Sequence, residues 1–135
     1  MIPYIRKIAR DWVELYSQPQ VDDGAEDPLP IYEALIDGSA PFAWVLILET
    51  ILQDSEGKSL HMLIAGPLQS FIARWGDAWI DAIEAEAASN LRLKWALGAI
   101  TKSRCPDNLW ERLSAIKGPE WLPFSDNPPP YPIAN

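Results

Sequence analysis

Histidine and cysteine are almost absent from this 135-residue chain, which contains one of each, His61 and Cys105. One histidine and one cysteine exclude a zinc site built from clustered Cys and His ligands, and they exclude an internal disulfide. A chain without disulfides is typical of a reducing compartment, so we expect a cytoplasmic protein. A catalytic pair of Cys105 with His61 is conceivable, but Cys105 precedes a proline where a helix cap is expected. Structural roles for both residues are therefore favoured.

Long apolar runs and complete catalytic motifs are lacking as well. The longest apolar run, from Ala40 to Leu48, is shorter than the roughly 20 residues that a membrane-spanning helix needs, and no membrane association is expected. Gly57-Lys58-Ser59 is similar to the end of a phosphate-binding loop, but Leu52 stands where that motif needs glycine, so we interpret it as a turn. We expect no catalytic residue, no cofactor and no bound metal.

Basic residues are missing from one long stretch of the chain. The window from Asp11 through Glu56 contains eleven acidic residues and no Lys or Arg, in a protein whose net charge is −8. The segment from Arg92 to Lys117 has the opposite bias. The charge is therefore distributed unevenly, with an acidic first half and a mildly basic end.

Apolar residues recur every three or four positions along most of the chain, which predicts amphipathic helices. The run Phe42–Leu48 is ambiguous by periodicity alone, but Ser39 and Pro41 form a helix-start pattern and no second strand-like run exists to pair with it. Gly66 and Gly76 predict helix ends, and Pro67 predicts the start of the helix between them. We expect an all-α fold of about seven or eight short helices packed as antiparallel hairpins, either as an irregular bundle or with repeat-like stacking.

The chain divides into one domain and a tail. Residues 1–117 are expected to form a single helical domain with an acidic loop at 17–30, and residues 118–135 form a proline-rich tail. The tail combines Trp121 and Phe124 with polyproline character. It either folds back over the bundle, which we favour because exposed aromatic side chains reduce solubility, or serves as an extended peptide for a partner.

Three carboxylates, those of Asp77, Asp81 and Glu84, share one helical face and raise the alternative of a metal-assisted enzyme. This face lies opposite the apolar stripe of the same helix, so a solvated face is favoured.

Direct binding to nucleic acid is not expected. The basic residues of the second half are too few to form a basic patch on a protein with a net charge of −8, and their positions fit the outward faces of amphipathic helices. These residues are Arg92, Lys94, Lys102, Arg104, Arg112 and Lys117.

The acidic half is the favoured functional surface. Carboxylates without interspersed cations create a negative field that attracts basic partners. We expect a non-enzymatic interaction protein of the inhibitor, immunity or DNA-mimic type, whose target is a basic protein such as a toxin or a nucleic-acid-binding protein. A subunit of a larger complex is a further alternative, and acidity that only maintains solubility remains open. The candidate partner-binding residues are Asp22, Asp23, Glu26, Asp27, Glu33 and Asp37.

Several short motifs resemble those of a family of small bacterial proteins classed as a domain of unknown function. They are Ala65-Gly66-Pro67-Leu68, Trp75-Gly76-Asp77, Ile83-Glu84-Ala85-Glu86-Ala87, Leu97-Gly98, Pro106-Asp107 and Trp110-Glu111-Arg112. The resemblance covers roughly Pro41 to Ile116 and implies a helical fold and a bacterial or phage origin, with no activity established for the family. Similar sequences tend to carry an acid after Gly-Pro-Leu. Here Gln69 stands there, which argues against an essential carboxylate at that position.

Overall fold

Helical periodicity accounts for nearly all of the regular structure. The computed structural model describes residues 2–18, 27–100 and 105–117, and within these ranges there are α-helices and no β-strand. The prediction of an all-α fold is confirmed. The helices are α1 (Ile2–Tyr16), α2 (Leu29–Gly38), α3 (Ala40–Gln53), α4 (Leu60–Leu63), α5 (Gln69–Ala87), α6 (Leu91–Leu97) and α7 (Asp107–Lys117).

Two helix starts follow from capping residues in the sequence. The Ser39 side chain accepts a hydrogen bond from the Phe42 N–H at 3.4 Å, and Pro41 lies in the first turn, where its missing N–H costs no intrahelical bond. At the start of α6, the Asn90 side chain accepts from the Leu93 N–H at 3.0 Å. The ambiguous apolar run is therefore a helix, as predicted.

The predicted helix ends at Gly66 and Gly76 and the predicted helix start at Pro67 are wrong. A π-helical turn at Ile64–Leu68 joins α4 to α5, so helical structure is continuous from Leu60 to Ala87. The described residues thus form six separate helical segments instead of the expected seven or eight. A π turn inserts one extra residue, and it occurs where Pro67 cannot donate a regular helical hydrogen bond.

Gly76 is retained inside a helix because another helix packs against it. A Cβ built on Gly76 would lie 2.6 Å from a terminal methyl of Leu109 in α7. Both residues are buried, with Leu109 only 2% exposed. The glycine therefore marks a close helix–helix approach, which a reading of local sequence mistakes for a helix end.

The core is continuous across all the helices, and α3 contacts most of them. Helix α1 packs chiefly on α3 rather than on its sequence neighbour α2, as in an irregular bundle. Helix α2 also packs on α3, and Trp75 in α5 donates its indole N–H to the Ile36 carbonyl at 2.6 Å. Helix α7 lies against α5 and α6. Helices α1 and α2 thus both pack on α3, and they meet each other where the Trp12 and Tyr32 rings lie 4.4 Å apart between centroids.

Replacing Gly76 with alanine tests the close approach of α5 and α7. Overpacking of a core costs about 1–3 kcal/mol, and alanine regains about 1 kcal/mol of helix propensity. We expect Gly76→Ala to lower the free energy of unfolding by about 1 kcal/mol, measured by urea denaturation.

Gly38→Ala is the matched control, because a Cβ at Gly38 meets no atom within 4 Å and its φ is not positive. This variant should raise the free energy of unfolding by about 0.5 kcal/mol. Equal stabilisation by both substitutions would show that Leu109 does not constrain position 76.

Candidate functional site

The six candidate partner-binding carboxylates fall into two groups. Asp22, Asp23 and Glu26 lie outside the described residues. Asp27, Glu33 and Asp37 are described, and all three are exposed on or next to α2. The structure therefore shows the part of the candidate surface that lies on α2, together with the residues of α1 that face α2.

Asp27 has a structural task within the chain. Its Oδ1 atom accepts hydrogen bonds from the Tyr16 hydroxyl at 2.7 Å and from the Leu29 N–H at 2.9 Å. The carboxylate thereby satisfies an N–H in the first turn of α2 and ties that turn to the end of α1. Burial, the hydrogen bond to Asp27 and the negative charge of Asp27 raise the pKa of Tyr16 to about 12. Asp27 thus holds the loop ends together, a role that the charge pattern does not indicate.

Glu33 and Asp37 form the outward face of α2. They are spaced one turn apart, and Pro30 and Ala34 on the same face are exposed too. No cation of the described residues lies within ion-pair distance of either carboxylate. The charge of this face is therefore negative and has no ion pair among the described residues.

A cleft of about 370 Å³ lies between α1 and the start of α2. It combines apolar walls with charged side chains, and its lining residues are Tyr4, Lys7, Ile8, Asp11, Glu14, Leu15, Gln18, Pro28 and Ile31. Burial raises the pKa of the nearby Tyr32, and the negative charge of Asp11 raises it further. The residues that line the cleft and the residues of the outward face of α2 are together called the α1/α2 surface.

Cations from outside the acidic window neutralise part of it. Lys7 pairs with Asp11 at 2.8 Å, and Arg6 lies 3.7 Å from Glu49 across the α1–α3 contact. Lys58 pairs with Glu56 at 2.9 Å. The inference that the whole window lacks neutralising cations is therefore wrong. Lys7 and Lys58 lie just outside the window and pair with carboxylates four and two positions away, whereas Arg6 approaches Glu49 only through the fold. What remains without an ion pair among the described residues includes Glu14, Glu33 and Asp37.

The Asp77, Asp81 and Glu84 face is engaged by an arginine. Arg112 in α7 donates to Asp81 at 2.6 Å and also to Glu84. The hydrogen bonds to Asp81 and then Glu84 raise the pKa of Arg112, which stays charged. Two of the three carboxylates thus connect α5 to α7. Within the described ranges, no group of three His, Cys, Asp or Glu side chains is placed to hold a metal ion.

The turn interpretation of Gly57-Lys58-Ser59 agrees with the structure, and its stabilisation was not foreseen. Gly57 has a φ of 79°, which only glycine adopts readily. The buried Asp54 carboxylate accepts from the Gly57 N–H at 2.7 Å and from the Ser59 N–H and hydroxyl at 2.7 and 2.6 Å. The segment therefore folds around the Asp54 carboxylate. The Gly57 and Ser59 N–H groups donate to this carboxylate, so they are not available to bind a phosphate.

Arg92 does not face outward as the sequence interpretation expects. It is 1% exposed, and its guanidinium donates to the Asp54 carbonyl and to the Ser55 carbonyl, the latter at 2.9 Å. This arginine fixes the turn after α3 onto α6, so it contributes nothing to a basic surface. No local sequence signal distinguishes it from Lys94, which is exposed.

His61 and Cys105 lie on different elements. His61 in α4 is exposed, and its ring lies edge-on to Trp95 with 5.8 Å between ring centroids. Cys105 is half-buried and lies two residues before Asp107, the first residue of α7. Separately, no helix in the described part of the chain is long and apolar enough to cross a membrane.

Comparison with known families gives one match. The model of a family of unknown function, DUF6869, matches residues 29–120, which is more than half of the chain. The match begins at α2, earlier than the Pro41 start of the sequence resemblance, and includes α2 through α7. A search of curated proteins and a search of solved structures each found no match.

Replacing Asp27 with asparagine tests its bond to Tyr16. Asp27→Asn removes the negative charge but keeps an acceptor oxygen, so the pKa of Tyr16 should fall from about 12 toward its ordinary value of 10. Tyrosine ring NMR measures this residue by residue. The native state holds the Tyr16 proton to higher pH than the unfolded chain does. The associated stability is therefore present below pH 10 and lost as the pH rises toward 12.

Glu33→Gln is the control, because it removes one negative charge from α2, six residues after Asp27, and Glu33 makes no hydrogen bond to Tyr16. It should leave the Tyr16 titration near its wild-type position. An unchanged Tyr16 pKa in Asp27→Asn would refute the assigned contact.

Proposed function

The chain belongs to DUF6869, a family of unknown function, and we propose that it is a non-enzymatic protein-binding module whose acidic α1/α2 surface contacts a basic partner. The proposal is carried by one observation. Glu33 and Asp37 extend from α2 into solvent with no ion pair to a described cation, beside a cleft whose wall carries Glu14.

Electrostatics favour a basic partner for this surface. The carboxylates that do find cations, Asp11 and Glu49, use Lys7 and Arg6, so those pairs add little to the field outside. Carboxylates that remain without a counter-charge attract cationic groups and raise the rate of encounter. A partner that presents Lys or Arg side chains would supply the missing charges.

The remaining candidate carboxylates are Asp22, Asp23 and Glu26. They precede Asp27 in the sequence and lie outside the described residues, so they stay candidates on the charge pattern alone. Asp27 supports the surface by holding the α1 and α2 ends together.

A specific kind of partner follows from this chemistry. A surface with several carboxylates and apolar side chains in an adjoining cleft fits a protein whose own site is a basic groove, such as a toxin or a nucleic-acid-binding protein. We therefore propose an inhibitor of the immunity or DNA-mimic type. The metal-assisted enzyme has weaker support, because Arg112 already pairs with Asp81 and Glu84.

Charge reversal on α2 tests the proposal. The double variant Glu33→Lys/Asp37→Lys keeps two exposed positions exposed and changes the charge by four units. Partners are captured from source cells with the wild type, identified by mass spectrometry and purified, and their dissociation constants are then measured across a salt series. We expect the variant to bind at least tenfold more weakly, about 1.4 kcal/mol, and to show a smaller dependence on salt.

The matched control is Asp77→Lys/Glu111→Lys, which makes the same change of charge at exposed positions of α5 and α7. This control should bind like the wild type. If both double variants lose affinity equally, net charge alone matters and the α1/α2 surface is not the site. If neither loses affinity, the proposed partner surface is wrong.

A further inference from the structure

A second groove has a volume of about 300 Å³. It is lined by residues from the second half of the chain, whereas the α1/α2 surface is formed by residues from the first half. It is formed by the end of α5, the start of α6 and the end of α7. Its lining is mainly apolar and consists of Glu84, Ala87, Ala88, Leu91, Lys94, Ala115 and Ile116. The proposed function does not use this groove.

The groove leaves an apolar side chain in water. Leu91 is 47% exposed at the first position of α6. Ala88 and Ala115 beside it are small and also exposed, so the space between the helices is not filled by described side chains. A large apolar side chain entering here would cover Leu91 and remove that surface from water.

The chain itself continues from one wall of the groove. Ala115 and Ile116 belong to the last turn of α7, which ends at Lys117. The next residues are Gly118, Pro119 and Glu120, followed by the apolar segment Trp121-Leu122-Pro123-Phe124. Four residues of extended chain span about 13 Å, so Trp121 can reach any part of a groove of this size.

We propose that the groove between α5, α6 and α7 is a docking site for the segment Trp121–Phe124 of the same chain. The indole of Trp121 covers Leu91 and the alanines. Charge agrees with this occupant, because residues 118–135 contain Glu120 and Asp126 and no Lys or Arg, while Lys94 stands exposed at the groove edge. The intramolecular tether raises the effective concentration of the segment above that of a separate molecule.

NMR on the full chain tests this docking. We expect nuclear Overhauser contacts between the Trp121 indole and the methyl groups of Ala88, Leu91 and Ala115. The backbone N–H groups of Trp121, Leu122 and Phe124 should be as rigid on the nanosecond timescale as those of α7. Exchange of the Trp121 indole proton with water should be at least tenfold slower than in the variant Ala115→Arg, which fills the groove from an exposed position.

Ala34→Arg is the matched control, since Ala34 is an exposed alanine on α2, away from this groove. It should keep the contacts and the slow exchange. Absent contacts together with fast motion of residues 121–124 in the wild type would overturn the proposal and leave the segment free for a partner. Contacts that grow with protein concentration, with a dimer by sedimentation, would also overturn it and assign the groove to a second copy.

Discussion

The contact among Trp12, Tyr32 and Thr50 sets the arrangement on which the candidate surface depends. These three side chains are fully buried, and they come from α1, α2 and α3. The Trp12 and Tyr32 rings lie 4.4 Å apart between centroids, and the Tyr32 hydroxyl is 2.6 Å from the Thr50 hydroxyl. Because the Thr50 hydroxyl donates to the Leu46 carbonyl at 2.8 Å, Tyr32 is the donor to Thr50. This junction holds α1 and α2 against α3, and the cleft is the space left between them.

Charge in this protein divides into pairs that hold helices together and carboxylates that face water. Arg6 with Glu49 connects α1 to α3, and Arg112 with Asp81 and Glu84 connects α7 to α5. Glu33 and Asp37 have no such task among the described residues, and they lie within the part of the chain that matches the family model. Helix α1 lies outside that part. The proposed surface is therefore anchored on α2, with α1 completing the cleft.

Local sequence was sufficient where a residue acts on its immediate neighbours. Ser39 and Pro41 predict the start of α3 correctly, because a cap bonds to backbone only three residues away. It was insufficient where a distant residue decides the outcome. A glycine occupies position 76 in the middle of α5 because Leu109 of α7 packs closely against it. Arg92 is buried because the carbonyl oxygens of Asp54 and Ser55 accept hydrogen bonds from its guanidinium. The acidic surface was overestimated partly for the same reason, since Arg6 approaches Glu49 only in the folded chain. The pair of Lys7 with Asp11 is instead a local contact, one helical turn apart in α1.

Carboxylate footprinting of the complex tests most directly whether the α1/α2 surface binds the partner. The native complex and the free protein are treated with a carbodiimide and an amine, and the labelled side chains are located by mass spectrometry. The account predicts that Glu33 and Asp37 are labelled in the free protein and protected in the complex, while the exposed Asp77 and Glu111 are labelled equally in both. Protection of Asp77 and Glu111 with undiminished labelling of Glu33 and Asp37 would contradict it.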